Sequence, residues 1–102
     1  MSVVMIMNWE GVKPEEYYQI RNIVDWETNY PTGAILHTAA FDGKGLRVTD
    51  VWETPDDFNN FVQNRLMPAV AQIGINTQPT SVEIYPAERH FVLGFTTKPE
   101  FA

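Results

Sequence analysis

The chain has 102 residues, 44% of them apolar and 20% charged, which is the mix of one ordinary globular domain spanning residues 1–102. It has no cysteine, so disulfides, thiolate metal sites, iron–sulfur clusters and a cysteine nucleophile are excluded. Seven Lys and Arg against 13 Asp and Glu leave a net charge of −6, and the cations are scattered. Such a surface repels a phosphate backbone, so no nucleic acid is expected as a partner.

Residues 1–7 carry no basic side chain, and the apolar run reaches only about five residues before Asn8, too few to span a membrane. The expectation is a cytoplasmic protein with no membrane partner. Residues 2–9 (SVVMIMNW) read as a short strand, apolar on both faces and therefore covered on both. Pro14 suits the first turn of a helix, and Glu15 and Glu16 suit its positive end. Tyr17, Ile20, Ile23 or Val24, and Glu27 keep helical spacing. A helix over 14–27 follows, ended by Asn29, Pro31 and Gly33.

AILHTAAF (34–41) and LRVTDVWE (46–53) are strand-like runs joined by Asp42-Gly43-Lys44-Gly45, a hairpin signature. Thr54 is placed to cap a second helix over 55–73, with Pro55 in its first turn and Asp57 three residues on, as in a capping box. Phe58, Phe61, Val62, Leu66, Val70 and Ile73 form its apolar stripe. Pro68 interrupts that stripe, lacks a backbone donor and clashes with the carbonyl four residues earlier. A kink near Leu66 and Met67 is therefore predicted. VEIYP (82–86) is a fourth strand, and 87–102 is a C-terminal extension beyond a core of 3–86. Its HFVLGF run is apolar enough to extend the last strand, lie across a partner subunit or form a short fifth strand. The order β-α-β-β-α-β is ferredoxin-like: an α+β fold with a four-stranded antiparallel sheet and both helices on one face.

A two- or four-residue hairpin loop pairs Phe41 with Leu46, Ala39 with Val48, His37 with Asp50 and Ile35 with Trp52, all on one sheet face. That face is apolar except for His37 and Asp50, which oppose each other. A carboxylate buried alone costs several kcal/mol, so Asp50 needs the imidazole. Either Asp50 orients His37, whose other ring nitrogen then serves as a base toward a cavity, or the pair only pins strand register.

G-x-x-x-H (Gly33 to His37), D-G-x-G-x-x-V-x-D-V-W-E-T-x-x-D-F (Asp42 to Phe58) and F-V-x-x-R-L-M-P-A-V (Phe61 to Val70) resemble the antibiotic-biosynthesis-monooxygenase-like proteins of the dimeric α/β-barrel superfamily. The resemblance covers about residues 3–86. It implies a homodimer in which two sheets pack face to face. It also implies activities drawn from cofactor-free oxygenation of polyketide anthrones, quinol oxidation, haem degradation and lactone isomerisation. Asn8 and Trp52 are residues of the kinds that cofactor-free members use to position substrate.

Other candidates are weighed against packing roles. Tyr17 offers a phenol to a substrate oxygen, or packs in the core. Arg65 pairs with Asp57, Glu53 or an anionic ligand. Trp9 and Trp26, flanking the first helix, read as rim packing. The two histidines are 53 positions apart in the chain and no metal-ligand spacing is present, so no metal is expected. The second helix lacks the histidine that holds iron in the superfamily's haem degraders, and no phosphate-binding glycine motif suggests a nucleotide cofactor. The expectation is a homodimer that binds a small hydrophobic, aromatic or quinone-like ligand. His37 and Asp50 are the candidate catalytic pair for cofactor-free oxidation or isomerisation. Asn8, Trp52, Tyr17 and Arg65 are the candidate substrate contacts. The alternative is a non-catalytic binding or assembly protein.

Overall fold

Alternation along the first strand decides which side of the sheet is inside. In the computed structural model, which describes residues 1–93, β1 (Val3–Glu10) buries Val3, Met5, Met7 and Trp9 and leaves Val4, Ile6 and Asn8 half-exposed. Within the protomer only the odd-numbered face is covered, as two helices on one side of the sheet require. The remaining elements are α1 (Pro14–Val24), β2 (Ala34–Phe41), β3 (Gly45–Trp52), α2 (Pro55–Phe61), a π-helical turn (Val62–Leu66), α3 (Met67–Ile73) and β4 (Ser81–Pro86). The sheet order is β2-β3-β1-β4, antiparallel throughout. Ile20 and Val24 of α1 meet Phe58, Leu66, Ala69 and Val70 over the odd residues of β1 and over Leu46, Val48 and Trp52 of β3. Both helical layers therefore lie on one face, as the ferredoxin-like order requires.

α1 begins as the sequence indicates, with Pro14 in the first turn and the Glu16 carboxylate accepting the Lys13 N–H at 2.9 Å. It ends three residues before the predicted boundary. Asp25 takes the left-handed conformation (φ 60°, ψ 43°) and its N–H returns to the Arg21 carbonyl at 2.7 Å. Aspartate tolerates that geometry, which closes the helix early. Trp26 and Glu27 consequently sit in the turn that follows.

The β2–β3 hairpin keeps the predicted register from Phe41 opposite Leu46 back to His37 opposite Asp50 and Leu36 opposite Val51. The Asp42 carboxylate accepts the N–H groups of Lys44 and Gly45, and Gly43 supplies the positive φ of the turn. At the far end the register shifts at a bulge. Ala34, not Ile35, stands opposite Trp52, which corrects the expected Ile35–Trp52 pair. Gly33 there has φ 81°, and a Cβ on it would fall on the Asp57 carboxylate. Its carbonyl accepts the Glu53 N–H at 2.8 Å, which closes the entry to β2.

Thr54 caps α2 by accepting the Asp57 N–H at 3.1 Å. The predicted interruption takes the form of the π turn. The Met67 N–H reaches back five residues to Val62, and Pro68 then sits in the first turn of α3, where its missing donor costs nothing. Among the described residues no helix is long and apolar enough to cross a membrane. Residues 87–93 form no strand, although the Ala87 N–H bonds the Ser2 carbonyl. The rest of the C-terminal extension lies outside the described residues.

Candidate active site

Period-two alternation puts His37 of β2 and Asp50 of β3 on the helix-covered face, opposite each other. His37 Nδ1 lies 2.7 Å from Asp50 Oδ1. Trp52 Nε1, two residues along the same face of β3, donates to Asp50 Oδ2 at 3.2 Å. Asp50, 6% exposed, thus has a partner on each oxygen. A carboxylate only accepts, so the imidazole proton sits on Nδ1 and Nε2 is left as an acceptor.

The second ring nitrogen, expected to face the cavity alone, has a partner. The Tyr17 hydroxyl occupies that nitrogen at 2.7 Å and donates to it. Tyr17, Ile20 and Val24 share the inward face of α1, which aims the phenol at β2, while Tyr18 points outward and is 47% exposed. Burial, and then the nearby negative charge of Glu27, pushes the Tyr17 phenol well above its ordinary value, so it stays neutral. The result is one hydrogen-bonded series, Tyr17 to His37 to Asp50, with Trp52 holding the far end.

That series borders a cavity of about 530 Å³ between the helices and the sheet, lined among others by Met7, Tyr17, Trp26, His37, Trp52 and Phe61. The volume suits a small organic ligand. Apolar side chains line the space without filling it. Val92 of the C-terminal extension joins the lining. The Tyr17 and His37 rings are nearly parallel, 8° apart, with centroids separated by 6.0 Å. The Trp26 ring stands 5.2 Å from His37 and 5.6 Å from Tyr17. The charged carboxylates in the wall are Glu27 and Asp50, and among the described residues no Lys or Arg joins them. Glu27 is held by Arg21 through two bonds of 2.7 and 2.8 Å, and these hold its carboxyl below the usual carboxylate range.

Two of the sequence-derived contacts stand elsewhere. Asn8, an even-numbered residue of β1, is on the opposite face of the sheet and donates to Ser81 Oγ at 3.2 Å. Arg65 pairs with neither Asp57 nor Glu53. Its guanidinium donates to the carbonyls of Val24 and Asn29 at 2.6 and 2.8 Å and so brackets the turn after α1. Trp9, expected at the rim, is 1% exposed and donates to Thr77. Trp26, expected as rim packing beside the helix, and Glu27, which spacing placed in the helix, both line the cavity. Among the described residues no three His, Asp or Glu side chains converge as metal ligands.

No family model matches the chain, and no curated protein is recognisably similar to it in sequence. Solved structures are similar in shape. A protein assigned as an antibiotic biosynthesis monooxygenase from Chloroflexus aurantiacus superposes with a TM-score of 0.65 at 13% identity, over 92% of this chain and 100% of that one. The chain has the antibiotic-biosynthesis-monooxygenase-like fold. Rv0793 from Mycobacterium tuberculosis gives 0.60 at 13% identity, over 88% and 98%. SnoaB, a cofactor-independent oxygenase from Streptomyces nogalater, gives 0.54 at 15% identity, over 87% and 92%. At such identities the likeness speaks for the fold, and the chemistry has to be argued from the side chains.

Proposed function

We propose that the protein is a cytoplasmic, cofactor-free oxygenase of a small, neutral, anthrone- or quinol-like aromatic compound, with Tyr17, His37 and Asp50 as its proton-transfer series. The observation that carries this reading is the Tyr17 hydroxyl, hydrogen-bonded to an oriented imidazole at the wall of an apolar cavity. The two carboxylates in the wall are already taken, Glu27 by Arg21 and Asp50 by His37 and Trp52, and no Lys or Arg among the described residues lines the cavity, which favours a neutral ligand. The similarity in shape to a cofactor-independent oxygenase supports the same reading.

The chemistry needs one base and a substrate that is its own electron donor. As a C–H beside a carbonyl gives up its proton to the Tyr17 oxygen, Tyr17 passes its own proton to His37 Nε2. Asp50 stabilises the imidazolium that forms. The resonance-stabilised carbanion transfers an electron to dioxygen, and recombination forms a carbon–oxygen bond. With the proton returned, the product is a hydroperoxide. Loss of water converts it to the carbonyl, so CH₂ plus O₂ becomes C=O plus H₂O.

The test is 1,8-dihydroxyanthrone in air-saturated buffer, with quinone formation and oxygen uptake measured against spontaneous oxidation. The protein is expected to consume one dioxygen per anthrone at a rate well above buffer. The double substitution His37→Phe with Asp50→Leu is expected to return it to background while keeping the fold. A double variant that turns over at the parent rate removes the series from the mechanism. A parent no faster than buffer, with no anthrone bound, defeats the reading itself.

We also propose that the protein acts as a homodimer, joined through the sheet face opposite the helices. Val4, Ile6, Leu36 and Tyr85 lie on that face, with Leu36 40% and Tyr85 50% exposed. Soluble monomers seldom leave such a patch open. Sedimentation at micromolar concentration is expected to give about twice 11.7 kDa. A clean monomer would defeat the dimer.

A further inference from the structure

Glu27 is held more firmly than the turn around it requires. That turn follows the end of α1 at Asp25 and is closed without help from Glu27. The Asn29 N–H returns to the Asp25 carbonyl at 2.8 Å, and Arg65 donates to the carbonyls of Val24 and Asn29. Arg21 nevertheless grips the Glu27 carboxylate with two bonds, Nε to Oε2 at 2.7 Å and Nη2 to Oε1 at 2.8 Å. The Arg21 and Glu27 side chains are 37% and 31% exposed, and an ion pair so open to water contributes little to stability. What the two bonds fix is the direction of the carboxylate, since a guanidinium fork sets a plane as well as a distance.

The place in which Glu27 is fixed is the cavity wall. Its charge lies beside the Tyr17–His37 pair. After burial, Glu27 is the largest cause of the raised Tyr17 phenol, and after the Arg21 hydrogen bond His37 is among the groups that hold the Glu27 carboxyl down. Hydrogen-bond capacity then separates the two carboxylates of the wall. An ionised carboxylate offers about four acceptor sites, two on each oxygen. Asp50 is buried, with one oxygen engaged by His37 and the other by Trp52. Glu27 gives one site on each oxygen to Arg21, but it is only half-buried, so the second site on each stays within reach of a donor. Of the two, Glu27 alone can receive a donor from the cavity.

We infer that Glu27 is a specificity-determining residue of the cavity: its carboxylate accepts the O–H of a hydroxyl group on the ligand's ring, and Arg21 is the positioning residue that aims it. The inference deepens the proposed function and rests on it, because it requires that the cavity hold an aromatic ligand. It narrows the ligand to neutral hydroxylated aromatics, phenols and quinols rather than bare ring ketones. A carboxylate or phenolate on the ligand meets the Glu27 charge and is disfavoured, whereas a neutral O–H gains a charge-assisted hydrogen bond.

The test uses two bicyclic probes that differ by one hydroxyl, 1-tetralone and 5-hydroxy-1-tetralone. Each is titrated into the full-length protein at neutral pH in a calorimeter. The parent is expected to bind the hydroxylated probe about tenfold more tightly, the worth of one hydrogen bond to a charged group. The phenol absorption of the bound probe is expected to move to longer wavelength, as it does when a phenol donates to a carboxylate. Glu27→Gln keeps the shape and removes the charge. It is expected to cut the preference for the hydroxyl to less than about threefold and to leave 1-tetralone within about twofold of the parent. Arg21→Met leaves the carboxylate charged but no longer aimed, and is expected to lower the preference too. An unchanged preference in Arg21→Met would take the positioning role from Arg21. Equal affinity of the parent for the two probes, an unshifted phenol absorption, or a preference that survives Glu27→Gln overturns the assignment and leaves the proposed function standing. Failure of both probes to bind the parent overturns the cavity reading first, and this inference with it. The preference and the absorption shift are read on the parent, so the test survives a Glu27→Gln variant that folds poorly.

Discussion

Asp50→Asn lowers the stability of the protein by about 1–3 kcal/mol, because it replaces an acceptor-only group that serves both His37 Nδ1 and Trp52 Nε1 with an amide that can accept on one side only. His37→Phe is destabilising by a similar amount. It removes the partner of a carboxylate whose side chain is 8% exposed, and Trp52 alone cannot balance that charge. The figure stays at the low end for buried pairs because the His37 side chain is 33% exposed and water screens it. Combining His37→Phe with Asp50→Leu recovers part of the loss: it removes the buried charge, but Trp52 Nε1 and the Tyr17 hydroxyl are left without their acceptors. Urea denaturation of the parent, His37→Phe, Asp50→Leu and the double variant closes the cycle. Two single losses that simply add in the double variant would mean that the residues do not interact, and the hydrogen-bonded series would have to be abandoned.

The parts of this site that were legible in the sequence are those that local rules decide. Hairpin register follows from Asp42-Gly43-Lys44-Gly45, and with it the meeting of His37 and Asp50. The stripe of Tyr17, Ile20 and Val24 turns Tyr17 inward by helical periodicity. The missed parts depend on contacts between distant segments. Asn8 was grouped with Trp52, but a strand apolar on both faces does not reveal which face the helices take. The helices took the face of Met5 and Met7, and Asn8 went to the other. Arg65 looked like an ion-pair residue because a single chain shows charges, whereas the carbonyls it binds are exposed by the early end of α1 at Asp25. That ending also puts Glu27, which spacing placed on the helix, and Trp26, which read as rim packing, in the cavity wall. The bulge at Ile35 is a strand-end adjustment beside Gly33, and no residue pattern between 34 and 37 marks it. The π turn was legible as an interruption through Pro68 but not as a widened turn, since proline excludes a straight helix without choosing its replacement.

Tyr17→Phe separates a phenol that moves protons from one that merely packs. If the hydroxyl passes the substrate proton to His37, its loss lowers turnover of 1,8-dihydroxyanthrone about 10²-fold, at the lower end of what a positioned acid–base group contributes. KM changes little, because the ring still fills its place against Trp26 and Phe41. The same substitution has a signature in stability that requires no substrate. Burial and Glu27 raise the Tyr17 phenol above its ordinary value of 10.0. The folded protein therefore keeps a proton that the unfolded chain releases once the pH passes that value. Stability from this residue is complete below about pH 10 and falls as the pH climbs further toward the folded-state value. The parent protein is thus expected to lose denaturation free energy between pH 10 and 11 more steeply than Tyr17→Phe, with the two curves parallel below pH 9. Tyrosinate absorbance over the same range should show the Tyr17 phenol still protonated where an ordinary tyrosine has ionised. Full turnover in the Phe variant with a flattened alkaline limb would keep Tyr17 as a buried packing residue and return the base to His37 Nε2 alone. Reduced turnover together with the flattened limb is the outcome that a neutral, proton-passing phenol requires.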